Sequence, residues 1–255
     1  MLILISPSKT MQFDRKPLDQ STTPEFNEKA IAINKTLQKY STRQLEKMMD
    51  ISPKLATQTH EHIHQFSEPD HLECNSIYAY RGDVYSGLDA LSFNHEDILY
   101  AQNHIRILSA YYGILKPLDR ISPYRLEMKT KLKIGKTKDL YTYWKPLITK
   151  SIQESLRVNS YDFIINLASQ EYAKVVDFAK TNAQMIDVQF YEEVAQDKLK
   201  MVSVFSKRPR GLFAKWMIIN KISDIADFVN FSEDGYAFSP AHSNSSQWIF
   251  IRKHL

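Results

Sequence analysis

Two short apolar runs constrain this chain more than any other feature. Leu2, Ile3, Leu4 and Ile5 follow one another without a polar break and are ended by Ser6-Pro7; residues 161–167 (YDFIINL) carry a second run, ended by Ala168-Ser169. A continuous run of this length reads as a strand buried in the core, not one that alternates between core and water. Residues 105–108, 236–238 and 248–252 read as further strands, and residues 185–194 and 199–205 as an antiparallel pair. Helical spacing marks residues 24–40, where Phe26, Ala30, Ile33 and Leu37 share a face, with Thr23 as N-cap and Pro24 at the first helical position. Helices are also predicted over 42–49, 53–66, 140–156, 169–178 (capped by Ser169) and 211–222. Residues 97–103 fit either state. Strands and helices are mixed without a regular βαβ repeat, which predicts an α+β fold: a single compact mixed-sheet domain over residues 1–255.

Composition narrows the chemistry. The chain has 255 residues and only six glycines, where average usage would give about eighteen. Neither a dinucleotide-type nor a Walker-type glycine loop occurs, so phosphate, if bound, is bound by cations and helix ends. No cofactor motif is found. The single cysteine, Cys74, excludes an internal disulfide and any multi-cysteine metal site. The N-terminal apolar run is too short for a signal sequence, and no stretch approaches a membrane span. These features predict a cytoplasmic protein without a membrane partner. Net charge is +4, which permits an anionic partner without demanding one.

Residues 42–66 hold two short helices joined by a tight turn around Ile51, a helix–hairpin–helix-like pattern. In such a unit the free N–H groups at the start of the second helix can receive a phosphate. Ser52 is a natural N-cap there and Lys54 adds a cation, while Asp50 opposes one. Within the second helix, His60, Glu61 and His64 match H-E-x-x-H. The segment is polar and His-rich, the pattern of a solvated face, and no metal site is predicted.

Four polar segments interrupt apolar runs: residues 6–10, 80–85, 111–127 and 166–174. Two directly follow predicted strands, where ligand sites collect. Lys9, Arg81, Asp83, Arg125, Glu127, Asn166 and Glu171 are expected to converge on one cleft. The alternative is that Arg125 and Glu127 form a structural ion pair. Positive charge is also segregated. Residues 198–223 carry Lys198, Lys200, Lys207, Arg208, Arg210, Lys215 and Lys221 with no acid among them, and residues 128–138 carry five lysines with none. Such patches attract nucleic-acid phosphates.

Together these segments resemble the YaaA peroxide-stress protein family. The matching stretches are LILISPSKTMQF (2–13), YRGDVYSGLDA (80–90), LSAYYGILKPLDRISPYRLEM (108–128), LYTYWKP (140–146), INLASQEYAK (165–174), FSKRPRGLFAK (205–215), Gly235-Tyr236 and WIFIR (248–252). They span nearly the whole chain. The resemblance implies a single domain of unusual α+β topology with a helix–hairpin–helix element and a positive cleft. It further implies DNA, duplex or branched, as partner, and a role in limiting free iron and oxidative DNA damage during hydrogen peroxide stress. The expected phosphate-binding residues are Lys9, Ser52, Lys54, Arg81, Arg125, Lys207, Arg208 and Arg210, with binding independent of sequence. The alternative is an enzyme acting on a small anionic substrate, with Asp83, Glu127 and Glu171 as acid–base groups.

Overall fold

A computed structural model describes residues 1–253 apart from 67, 69, 70, 196, 197 and 202–205. The chain opens with β1 (Leu2–Ile5), whose four side chains are fully buried. Three helices follow: α1 (Asn27–Leu37), α2 (Thr42–Met49) and α3 (Pro53–Gln65). Next come β2 (Cys74–Asn75), α4 (Ser76–Ala79), α5 (Asp83–Leu88) and α6 (His95–His104). Three strands follow, β3 (Ile105–Ser109), β4 (Gly113–Leu115) and β5 (Arg120–Ile121), then the long helix α7 (Leu140–Val158). The C-terminal part holds β6 (Phe163–Asn166), α8 (Gln170–Ala173), β7 (Gln184–Ala195), β8 (Lys198–Lys200), α9 (Arg208–Ile219), β9 (Tyr236–Phe238) and β10 (Gln247–Lys253).

Eight strands form one mixed sheet in the order β4-β3-β1-β6-β7-β10-β9, with β8 paired to β7; β2 and β5 form a separate two-stranded ribbon. The pairs β1/β3, β1/β6, β6/β7 and β7/β10 are parallel, and β4, β8 and β9 add antiparallel. The fold is therefore mixed α and β, as expected. From β1 the chain moves to β3 on one side, then returns to β6 on the other. That reversal leaves a crevice at the carboxyl ends of β1 and β6, the place where open parallel sheets bind ligands.

The helical corner forms as its caps dictate. Ser41 and Gln44 make a reciprocal capping box at the start of α2, and the Ser52 hydroxyl accepts the Leu55 N–H at 3.3 Å to start α3. Between them Asp50 takes φ 53°, the left-handed value that turns the chain. Residues 97–103 are helical, because Asn94 and Asp97 form a second capping box at the start of α6.

Several expectations need correction. The first helix begins at Asn27, since the Pro24 carbonyl accepts the Asn27 N–H and makes residues 24–27 a turn; Thr23 caps nothing. The helix expected over 169–178 is one turn, α8. Its Ser169 side chain is engaged by Ser6 across the sheet and makes no cap. Helix α9 begins at Arg208, three residues early, so Arg210 lies inside its first turn. Only 198–200 of the second strand of the expected antiparallel pair are seen as β8; residues 202–205 lie outside the described residues.

The core between α9 and strands β7 and β10 is aromatic. Phe190, Phe213, Phe231 and Phe250 are fully buried with ring centroids 4.9–6.2 Å apart. Helices α5 and α9 meet backbone to backbone. A Cβ on Gly211 would lie 1.9 Å from the Val84 carbonyl oxygen, and one on Gly87 would lie 2.2 Å from the Arg208 carbonyl oxygen. Only glycine permits this approach. Among the described residues no helix is long and apolar enough to cross a membrane.

Candidate functional site

The crevice at the ends of β1 and β6 is a real cavity of about 460 Å³. It is built where four separate segments meet. Ser6 joins the two strand ends: its hydroxyl accepts the Ser169 N–H at 2.8 Å and lies 3.3 Å from the Ser169 hydroxyl. The segment after β1 is clasped to the start of the 80–85 segment, with the Arg81 N–H on the Thr10 carbonyl and the Gln12 N–H on the Ala79 carbonyl. Gly82 takes φ 104°, and a Cβ there would meet the Ser8 hydroxyl at 3.1 Å. The glycine thus lets this turn close against the loop after β1. The Tyr85 hydroxyl donates to the Ser6 carbonyl at 3.0 Å, fixing α5 over the strand end.

Five cations line the cavity, Lys9, Arg81, Arg125, Lys207 and Arg210, with three carboxylates, Asp83, Glu127 and Glu171. They differ in what already holds them. Lys9 Nζ lies 2.8 Å and Lys129 Nζ 3.4 Å from Glu127 Oε2. Burial pushes the Glu127 carboxyl up, but the lysine bond and charges outweigh it and hold the group below its usual value. The expected alternative of an Arg125–Glu127 ion pair is not what forms. Arg81 is tied to Gln12 at 2.9 Å and to Asp14 at 3.4 Å. Glu171 accepts the Lys129 N–H at 3.2 Å.

Arg125 and Arg210 stand apart. The Nε atoms of both are buried and have no hydrogen-bond partner. Burial lowers the Arg210 guanidinium from its usual value, and the charge of Asp187 offsets part of that. A buried donor left unpaired costs about 1–3 kcal/mol, and both of these belong to side chains that line the cavity.

A second cavity of about 440 Å³ adjoins the first and shares Lys9, Thr10, Tyr124 and Arg125 with it. Its far wall is the face of α3 that carries Leu55, Gln58, Thr59 and His62; Met11, Phe13, Leu72 and Pro123 complete it. Burial lowers the pKa of His62, partly offset by Glu61. Tyr124 separates the cavities. Its hydroxyl is bonded to Tyr80 at 2.7 Å and Ser109 at 2.8 Å, and burial pushes it up to about 12.

Comparison with known proteins finds similarity over nearly the whole chain. The profile of the family described as peroxide stress protein YaaA matches residues 1–242. A UPF0246 protein of Crocosphaera subtropica is 37% identical over 253 residues, covering 99% of this chain and 100% of its own. A UPF0246 protein of Legionella pneumophila (strain Lens) is 38% identical over 258 residues, covering 100% of both chains. One of Alteromonas mediterranea is 39% identical over 259 residues, covering 99% of this chain and 98% of its own. The chain belongs to the peroxide stress protein YaaA family.

In this YaaA-family chain, Lys9, Arg81, Asp83, Arg125, Glu127, Glu171, Lys207 and Arg210 all line the first cavity. Asn166 does not line it; it accepts the Ala168 N–H and donates to Asp187, bracing the end of β6. Arg208 lies outside the cavity and pairs with Asp234 at 3.1 Å. Ser52 and Lys54 are exposed and line neither cavity; the helical corner reaches the site through the side of α3. The rings of His60 and His64 are tilted against each other with centroids 4.4 Å apart, and among the described residues no group of three or more His, Cys, Asp or Glu could hold a metal. The second cavity was not legible: Phe13 and Leu72 sit in irregular segments whose partners are distant in sequence.

Proposed function

We propose that this YaaA-family chain acts in peroxide stress by binding DNA through its phosphates, without reading base sequence, along the trough formed by the two adjoining cavities. The observation that carries this reading is the pair of buried, unpartnered arginine Nε atoms of Arg125 and Arg210 in a cavity lined by three further cations. Arginine presents a planar fork matched to phosphate oxygens, and phosphate contacts position a nucleic acid without specifying its sequence. The first turn of α9, which carries Arg210, adds the positive end of a helix dipole. DNA held against the protein is withheld from iron-driven oxidation, which connects binding to the family's role.

The enzyme reading is less well supported. A general acid in this cleft needs a carboxyl held high, whereas Lys9 and Lys129 hold Glu127 low. The test is duplex binding as a function of salt. With about four phosphates engaged, affinity falls roughly a hundredfold between 50 and 200 mM salt. A flat response over that range contradicts phosphate-led recognition.

A further inference from the structure

The first cavity is better matched to one kind of phosphate than to phosphates in general. Its lining carries five cationic side chains against three carboxylates, a surplus of two positive charges. An internal phosphodiester brings one negative charge. A phosphomonoester brings about −1.5 to −2 near neutral pH, with three acceptor oxygens on one phosphorus. Two arginines on segments distant in sequence line it, each with a buried Nε that has no partner. A terminal phosphate offers three free oxygens to cations that approach from different segments.

The shape of the cavity points the same way. On the sheet side it is closed by Ser6 and Ser169, whose side chains join the ends of β1 and β6. Tyr85 and Tyr172 wall it, and burial drives both phenols far above their usual value, so they stay neutral. A phosphate with a single ester link can reach this inner end, whereas one linked on both sides stays at the mouth, in the trough. About 460 Å³ is the volume of a small-molecule pocket. The adjoining cavity, reached past Tyr124, offers Phe13, Leu55 and Leu72 with Gln58 and His62. This mixed lining suits an unpaired base, with Phe13 to meet its face and Gln58, Thr59 and His62 to meet its edge.

We infer that the cavity at the ends of β1 and β6 is a pocket for a phosphomonoester, held by Arg125 and Arg210 and supported by Lys207, with the attached nucleoside directed into the second cavity. This rests on the DNA reading for its most natural source, a phosphate-terminated strand end such as a break leaves. A free nucleoside monophosphate carries the same chemistry.

The experiment measures binding of one single-stranded oligonucleotide carrying a 5′-phosphate, a 3′-phosphate or only hydroxyl ends. The same strand closed into a circle and a free nucleoside monophosphate complete the set. A terminal phosphate is expected to tighten binding on the order of tenfold over hydroxyl ends, the gain of a charge-assisted pair of hydrogen bonds. The circle is expected to bind no better than the hydroxyl-ended strand. In Arg210→Gln and in Arg125→Gln the phosphorylated and hydroxyl-ended strands should bind alike, with the thermal midpoint of each variant recorded to separate loss of the site from loss of the fold. If hydroxyl-ended and circular strands bind as tightly as phosphorylated ones, the pocket inference is overturned while the DNA reading stands. If the monophosphate binds and no oligonucleotide does, the pocket stands as a nucleotide site and its link to strand ends falls. If nothing binds, the pocket inference falls, and the duplex titration decides the DNA reading separately.

Discussion

Gly211→Ala tests whether the contact between α5 and α9 positions the site. The new Cβ would stand 1.9 Å from the Val84 carbonyl oxygen, 2.6 Å from the Leu88 nitrogen and 2.9 Å from the Gly87 carbonyl carbon. All three neighbours are backbone, so no side chain can swing aside. Ordinary contact begins near 3.4 Å, so the two helices must part by about 1.5 Å. Forcing extra atoms into a packed contact costs about 1–3 kcal/mol, and more where backbone must move. Alanine returns about 1 kcal/mol of helix propensity. A net loss of about 2 kcal/mol lowers the thermal midpoint by roughly 4–8 °C in a chain of this size. The same separation displaces Lys207 and Arg210 from Asp83 and Val84 across the cavity, so DNA affinity falls with stability. The assay is thermal unfolding by circular dichroism beside a binding titration. Gly135→Ala is the control: a Cβ there meets nothing within 4 Å, and its left-handed backbone costs only about 1 kcal/mol, with DNA affinity unchanged. If Gly211→Ala keeps both the midpoint and the affinity of the native chain, the positioning argument is wrong.

Two further outcomes follow from buried charge. Burial pushes the Asp119 carboxyl up to about 6, against bonds from the Thr22 hydroxyl at 2.6 Å and the Lys116 N–H at 2.7 Å. Its folded value thus exceeds the unfolded value of about 3.9, so its contribution is fully present below pH 4 and lost as pH rises through 6. Urea unfolding at pH 4, 5.5 and 7 should show Asp119→Asn gaining on the native chain by up to about 3 kcal/mol across that window; a constant difference refutes the assignment. Glu192 is buried beneath Arg252, whose Nε lies 3.0 Å from its carboxylate, and it also takes the Tyr236 hydroxyl. Arg252→Ala should cost about 3 kcal/mol in urea unfolding, with partial recovery in the Glu192→Gln double variant, because the guanidinium offsets the desolvation of the buried carboxylate it contacts.

What could be read in the sequence was what local chemistry decides. The α2–α3 corner was legible because Ser52 is an N-cap whose side chain has no better partner. β1 and β6 were legible as unbroken apolar runs, and the polar residues after them were therefore legible as a cleft. What was hidden depends on contacts far apart in the chain. Ser169 looks like a cap until Ser6, 163 residues away, takes its side chain. Helix α5 is short and holds Gly87, which reads as a breaker until Gly211 is seen against it. The start of α9 decides which of two adjacent arginines enters the cavity: Arg210 turns inward, while Arg208 turns to Asp234. Parallel pairing of β7 with both β6 and β10 involves strands separated by whole helices, and no local pattern reports it.

The central claim is that cavity cations hold DNA by its phosphates. The most direct measurement is the salt slope of duplex binding for the native chain beside Arg125→Gln and Arg210→Gln. Each variant is expected to reduce the slope of log K against log salt by about one and to weaken all sequences alike. Variants that bind as tightly as the native chain, with an unchanged slope, would contradict the claim.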